Sequence, residues 1–345
     1  MAFAVGAVSE AHEFDGWLPV RVFWHGGAAR VDWCWFGDRP LAEPFFRDSA
    51  NLAMRHPFNQ AFRRETPIDA LSRLREERPG MAPTAFLHHA SRCGSTLVSQ
   101  MLAATGEHVV VSEPHTLDAI LRARYMGPGV AAGSEVEWAR GLLSALAQSR
   151  RGERAFVVKL DAWSIFELHT LREAFPATPW VYLYRDPLEI AVSQVRERGA
   201  YMVPGMLGPA LELLGAVEVA RMPHEEFIAR VLGRMLEAAG EGCAREGGVL
   251  LHYEELPEAL WTWAAPLFGV RDDPAIRAAL GHAARWNAKN PQLEFESDSG
   301  RKQREASPAL REAIERWAHP AYHRLETARL AARAARGPRA MESAR

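Results

Sequence analysis

TAFLHHASRCGSTLVSQML, residues 84–102, is the stretch on which the fold turns. A short apolar run closes at His88 and His89, a turn of small residues follows, and from Ser95 the apolar residues take up helical spacing. A strand that passes through such a turn into a helix points backbone N–H groups and the positive helix end at one spot, and Gly94 lets an anion come close. The nucleoside-triphosphatase form of this turn, G-x-x-x-x-G-K-[ST], would need Gly at position 89 and Lys at position 95. His89 and Ser95 stand there instead, and Arg92 supplies the nearby cation.

Working outward, HVVVSE from 108, AFVVKL from 155, WVYLYR from 180 and GVLLHY from 248 alternate with helical stretches. That rhythm predicts an α/β fold of P-loop type, with three layers and a central parallel sheet of about five strands. Ahead of it, PVRVFWHGGAARVDWCWF reads as a β-hairpin closing at Gly26 and Gly27, with Trp24, Trp33 and Trp35 on its buried face. Loops punctuated by Pro40, Pro44 and Pro57 and short helices follow. The expected division is a small aromatic-rich hairpin and helical subdomain over 1–80, the α/β domain over 81–325, and a basic tail over 326–345 that reads as an exposed helix.

The chain has 345 residues, 48% hydrophobic and 24% charged, which excludes disordered, collagenous and coiled-coil classes. Its net charge of −2 gives no general attraction to nucleic acid or membrane surfaces, so an anion site has to be local. Cys34, Cys93 and Cys243 are too few and too scattered for a disulfide framework or a zinc knuckle, which points to a reducing cytoplasm and to no metal. MAFAVGAV reads poorly as a signal peptide, and no run of apolar residues is long enough to span a membrane.

A second strand-turn-helix, WVYLYRDPLEIAVSQ, places Arg185 at a strand end and Ser193 on the next helix, where both reach one anion. Asp186 and Pro187 are suited to start that helix. In VVVSEPHTLDAIL, Glu113 closes a strand with His115 two residues on, and Lys159 closes another strand beside Asp161, its expected partner. His88 and His89, consecutive on a strand, face opposite ways and cannot readily share one metal, so they read as packed or solvated histidines. Beside Arg92, the thiol of Cys93 is expected to have a lowered pKa.

These two motifs resemble those of sulfotransferases that use 3′-phosphoadenosine 5′-phosphosulfate (PAPS), in particular bacterial members with Ser-Arg-x-Gly-Ser-Thr in the first motif. LLHYEELPEALWTWAAPLFGV, residues 250–270, is similar to a third family segment, and order and spacing agree across roughly 84–320. The resemblance implies a P-loop-type fold, PAPS as cosubstrate, and transfer of a sulfuryl group to a hydroxyl or amine. Ser91, Arg92, Cys93, Gly94, Ser95 and Thr96 would then hold the 5′-phosphosulfate, with Arg185 and Ser193 on the 3′-phosphate. Arg301 and Lys302 stand in a different order from the family's Arg-Lys-Gly and carry over weakly. Arg92 also departs from the family's usual Lys, exchanging a point charge for a planar fork.

By the same resemblance the catalytic residues are Arg92, on the leaving phosphate, Lys159, on the transferring group, and Glu113 as base, with His115 the alternative base. Two other readings stay open: an ATP-dependent kinase on the same fold, and a nonenzymatic nucleotide-binding or interaction protein. The apolar MVPGMLGPALELLGAVEV, from 202, slightly favours a small lipidic or aromatic acceptor over a peptide. No nucleic-acid partner is expected, and the sequence is silent on oligomeric state.

Overall fold

The computed structural model of the chain describes residues 13–125, 130–131, 133–205, 219, 221–288, 290–294 and 298–336. It opens with a hairpin of β1 (Trp17–His25) and β2 (Ala28–Trp35). Gly26 and Gly27 both have positive φ, 57° and 80°, the backbone that a two-residue hairpin turn requires. The expected three tryptophans do not share its buried face. Trp33 is buried, Trp24 is partly so, and Trp35 is 38% exposed, its ring resting against His56 and Phe58 at the edge of the unit.

Helices α1 (Phe46–Met54) and α2 (Pro57–Ala61) lead to β3 (Arg64–Pro67), which completes a small antiparallel sheet of order β1-β2-β3. Helix α3 (Ala70–Glu77) then leads to β4 (Ala85–His89). From there strands and helices alternate through α4 (Ser95–Ala104), β5 (His108–Ser112), α5 (His115–Leu121), α6 (Ser134–Leu146) and β6 (Ala155–Lys159). Helix α7 (Leu168–Ala174), β7 (Trp180–Tyr184), α8 (Pro187–Arg196), α9 (His224–Glu246) and β8 (Val249–His252) complete the α/β unit.

All pairings in this sheet are parallel and its order is β5-β6-β4-β7-β8. The five strands begin within one residue of where the Val-, Leu- and aromatic-rich runs predict, and β4 to β7 are buried throughout, as parallel strands covered on both faces must be. The chain builds out to one side of β4 through β5 and β6, then crosses to the other through β7 and β8. The carboxyl end of β4 therefore lies at the switch point where open α/β sheets leave a crevice.

Beyond the sheet come α10 (Pro274–Ala284), the short pair β9 (Trp286–Asn287) and β10 (Asn290–Glu294), α11 (Ser299–Glu305), α12 (Pro308–Trp317) and α13 (His319–Arg336). Along its described length the basic tail is helical and mostly exposed, with Glu326, Arg329 and Arg333 half-buried, and it continues a helix whose preceding turns pack inward. Ala321 and Leu325 of α13 are buried where it packs against α9, and Arg333 pairs with Glu255. Residues 337–345 of that tail, the leader MAFAVGAV and most of the apolar stretch from 202 lie outside the described residues.

The aromatic N-terminal unit shares its core with the α/β layers. One buried cluster runs from Trp17, Val31 and Trp33 through Leu71 and Leu142 to Phe86 and Phe156 on the sheet. Leu71 of α3 lies directly against Gly141 of α6, where an added Cβ would fall 2.9 Å from the Cβ of Leu71. Leu71→Ala is expected to cost about 2–5 kcal/mol of stability in a denaturant titration. Because the core is continuous, the loss should come in a single transition with the sheet; a separate early transition would contradict it.

Candidate active site

Each of the five parallel strands delivers a residue from its carboxyl end to one cavity of about 490 Å³. The contributions are His89 and Ser91 after β4, Glu113 after β5, Asp161 after β6, Arg185 after β7 and Tyr253 after β8. The N-terminal unit adds Phe45 to the wall. Ser91, Arg92 and Glu113 are the non-glycine residues with positive φ among those described, at 63°, 48° and 49°, and all three line this cavity. Backbone in that region is costly for residues with a Cβ, so its concentration here marks a site held open by its surroundings.

The loop after β4 delivers α4 with its N-terminus facing the cavity, and Ser95 and Thr96 form the first helical turn. Gly94 has φ 91°, and a Cβ there would sit 3.0 Å from the ring of Tyr253 and 3.1 Å from Leu256, so glycine is required by both backbone and space. Free N–H groups at a helix start and a left-handed turn make an anion cradle. Arg92 borders it, with its guanidinium held by Glu197, Nη1 to the carboxylate and Nη2 to the carbonyl, both at 2.9 Å.

Next to the cradle is a buried ion pair. Lys159 is 1% exposed, and its Nζ lies 2.7 Å from Oε1 of Glu113, 3.3 Å from Oγ1 of Thr96 and 4.8 Å from the centre of the Phe45 ring. The partner of Lys159 is thus Glu113 rather than the expected Asp161. The backbone decides this: the Glu113 N–H donates to the Lys159 carbonyl at 2.7 Å, extending the β5–β6 ladder by one residue. Burial alone would raise the Glu113 pKa, but the Lys159 charge and the contact with His89 outweigh it and hold the carboxyl at about 2.

His89 has the more specific role. The Ser91 N–H donates to its Nδ1 at 3.0 Å, which leaves the ring proton on Nε2, 3.3 Å from the same Oε1 of Glu113. Burial keeps the ring neutral by lowering its pKa, against the pull of Glu113. His115, the alternative base, faces elsewhere, with its Nε2 2.6 Å from the Val20 carbonyl of β1. Asp161 lines the cavity and has no cation paired with it among the described residues; burial first, then the charges of Glu113 and Asp118, push its carboxyl up to about 7.

A second cationic cluster is built on β7 and α8. Asp186 caps α8 as expected, accepting from the Leu188 N–H at 2.8 Å, with Pro187 in the first turn. Arg185 is 3% exposed, its guanidinium carbon lies 4.1 Å from the centre of the Tyr253 ring, and its Nε pairs with Glu189. Its Nη2 reaches Oδ1 of Asp298 at 2.7 Å and the Ser299 hydroxyl at 2.8 Å, while Nζ of Lys302 takes the other oxygen of Asp298 at 2.8 Å. Ser193 lines the cavity and donates to the Glu189 carbonyl at 3.1 Å.

Of the residues singled out in the sequence, Ser91, Arg92, Gly94, Ser95, Thr96, Glu113, Arg185, Ser193 and Lys302 line this one cavity. Lys159 lies behind its wall and reaches it through Glu113 and Thr96. Arg301 is exposed and outside the lining, because α11 turns Lys302 inward and its neighbour out. Cys93 points away, its Sγ 3.2 Å from the Leu183 carbonyl, and burial pushes the thiol up to about 12, the reverse of the lowered pKa expected beside Arg92. Phe45, Tyr201 and Asp298 escaped the sequence reading, since none lies in a motif. Tyr253 was within reach, as the residue following GVLLH.

The fold and this cavity define an α/β protein with a helix-start turn beside Arg92 and a second cationic cluster at Arg185 and Lys302 on the carboxyl edge of its sheet. Among solved structures, the chain is similar to a sulfotransferase from Alicyclobacillus acidocaldarius, with 18% identity over 72% of this chain and 96% of that one and a TM-score of 0.41. It is also similar to the sulfotransferase domain from the curacin biosynthetic pathway, with 17% identity, 69% and 92% coverage and a TM-score of 0.41. A sulfotransferase from Mycobacterium avium aligns at 12% identity, 72% and 80% coverage and a TM-score of 0.41. No family model and no curated protein sequence matches the chain. No helix among the described residues is long and apolar enough to cross a membrane.

The buried pair makes a testable demand. Lys159→Met should cost about 3–5 kcal/mol by stranding Glu113, and adding Glu113→Gln should restore part of it, so the double-mutant cycle is non-additive. Asp161 gives the opposite sign. Its folded-state pKa, about 7, lies above the ordinary 3.8, so raising the pH from about 4 to 7 removes stability. Asp161→Asn should therefore be more stable than the parent at pH 8, with the gap closing toward pH 4 in melting curves.

Proposed function

We propose that this chain is a sulfotransferase that moves a sulfuryl group from PAPS to a hydroxyl or amine acceptor. The observation that carries the reading is that one cavity joins the loop 91–96, with Arg92 at its border, to a second cationic position at Arg185 and Lys302. Two separated anion positions suit a nucleotide charged at both its 5′ and 3′ ends. The absence of a lysine at position 95 speaks against the ATP-dependent kinase.

In this reading Ser91, Arg92 and the N–H groups of Gly94 to Thr96 hold the phosphosulfate end, and Arg185, Ser193 and Lys302 hold the 3′-phosphate. Glu113 accepts the acceptor's proton as the acceptor atom bonds to sulfur; the sulfur–oxygen bond to phosphate breaks, and its electron pair leaves on adenosine 3′,5′-bisphosphate. A carboxyl held at about 2 is a weak base while Lys159 sits on it. Lys159 already lies 3.3 Å from Thr96 at the cradle, so a short movement takes its charge from Glu113 to an oxygen held at the loop. The same movement strengthens the base and neutralises the charge that develops.

Calorimetric titration with adenosine 3′,5′-bisphosphate, AMP and Mg·ATP tests this directly. Binding of the bisphosphate should be independent of Mg²⁺ and much tighter than that of AMP. Arg185→Ala should lose about tenfold or more of the preference for the 3′-phosphate. Glu113→Gln should keep the affinity within about twofold and abolish transfer from PAPS. A preference for Mg·ATP, or no nucleotide binding, overturns the reading.

A further inference from the structure

Arg185 and Lys302 are both buried cations, and a single carboxylate bridges them, Asp298 giving one oxygen to each at 2.7 Å and 2.8 Å. With Glu189 on the Nε of Arg185, the cluster holds two positive and two negative side chains and is neutral as it stands. A phosphate dianion placed on Arg185 and Lys302 would add two negative charges to a poorly solvated spot unless a carboxylate left. The two candidates for departure differ. Glu189 is 9% exposed and fixed within α8, where it also accepts from Gln303. Asp298 is 29% exposed, stands just before the first turn of α11, and makes no capping hydrogen bond that its departure would break.

We propose that Asp298 is an internal counter-anion of the nucleotide site, seated on Arg185 and Lys302 until a 3′-phosphate displaces it to solvent. The inference rests on the sulfotransferase reading, since it takes Arg185 as the 3′-phosphate position. Asp298 thereby sets which nucleotides gain from this subsite. A dianionic phosphate outcompetes a monoanionic carboxylate for the paired cations, whereas a nucleotide without a 3′-phosphate leaves Asp298 in place and gains nothing there. The hydroxyl of Ser299, already on Arg185 at 2.8 Å, stays to share the guanidinium with either anion.

The test is calorimetric titration of the full chain and of Asp298→Asn with adenosine 3′,5′-bisphosphate and with AMP, both variants first checked for an unchanged circular dichroism spectrum. The asparagine keeps shape and polarity but removes the competing charge. Asp298→Asn should bind the bisphosphate about tenfold tighter and AMP within about twofold of the parent. Unchanged or weaker binding of the bisphosphate by the variant overturns the proposal and makes Asp298 a support for Lys302. An equal gain for AMP overturns it too, as a general charge effect. Asp298→Ser serves as a second, smaller substitution if the asparagine does not fold. Failure of the parent chain to bind the bisphosphate at all counts against the sulfotransferase reading itself, and is thereby distinguishable.

Discussion

An ammonium group with 1% of its surface exposed survives inside a protein only beside an anion, and in this chain much of the site follows from how that anion is delivered to Lys159. Glu113 is the residue after β5, bonded through its N–H to the Lys159 carbonyl and bent to a φ of 49° so that its side chain turns back over the strand end. The cost of that backbone is offset by the pairing it permits. His89 then places its Nε2 3.3 Å from the same carboxylate oxygen, and the loop's own Ser91 N–H fixes its tautomer. The anion cradle, the histidine, the carboxylate and the lysine are one connected polar unit, anchored at the ends of β4, β5 and β6.

The same logic of neutrality governs the rest of the cavity. Arg92 is met by Glu197, and Arg185 and Lys302 by Asp298 and Glu189, so each cation at the site has an anion from the chain itself. Such a concentration of positive charge would repel itself without these partners. The carboxylates at the rim, Glu197 and Asp298, are the more exposed ones. Rim carboxylates keep part of their access to water, so holding them beside the cations carries less desolvation cost than a fully buried partner would.

The N-terminal unit was expected as an appendage whose chemistry could not be read. Its hairpin turn was legible, because two adjacent glycines between strand-like runs admit few conformations. Its docking was not. Leu71 meets Gly141 seventy residues away, and Phe45 comes to lie by Lys159 because the whole unit is built onto the core of the sheet. No periodicity within residues 1–80 records those contacts.

What the sequence by itself determined is local: five strands, the strand-turn-helix cradle at Gly94 to Thr96, and the second at Arg185 with its Asp186 cap. Each depends on residues within about a dozen positions of one another, where spacing, glycine and capping chemistry restrict the backbone directly. The tertiary structure alone decided the charge partners, setting Lys159 on Glu113 rather than on the neighbouring Asp161, turning Lys302 inward and Arg301 outward, and burying the Cys93 thiol away from the cavity. Those outcomes depend on which groups burial brings within about 3 Å across strands far apart in the chain. Coulomb energy and desolvation act on distances in space, which no spacing along the sequence encodes.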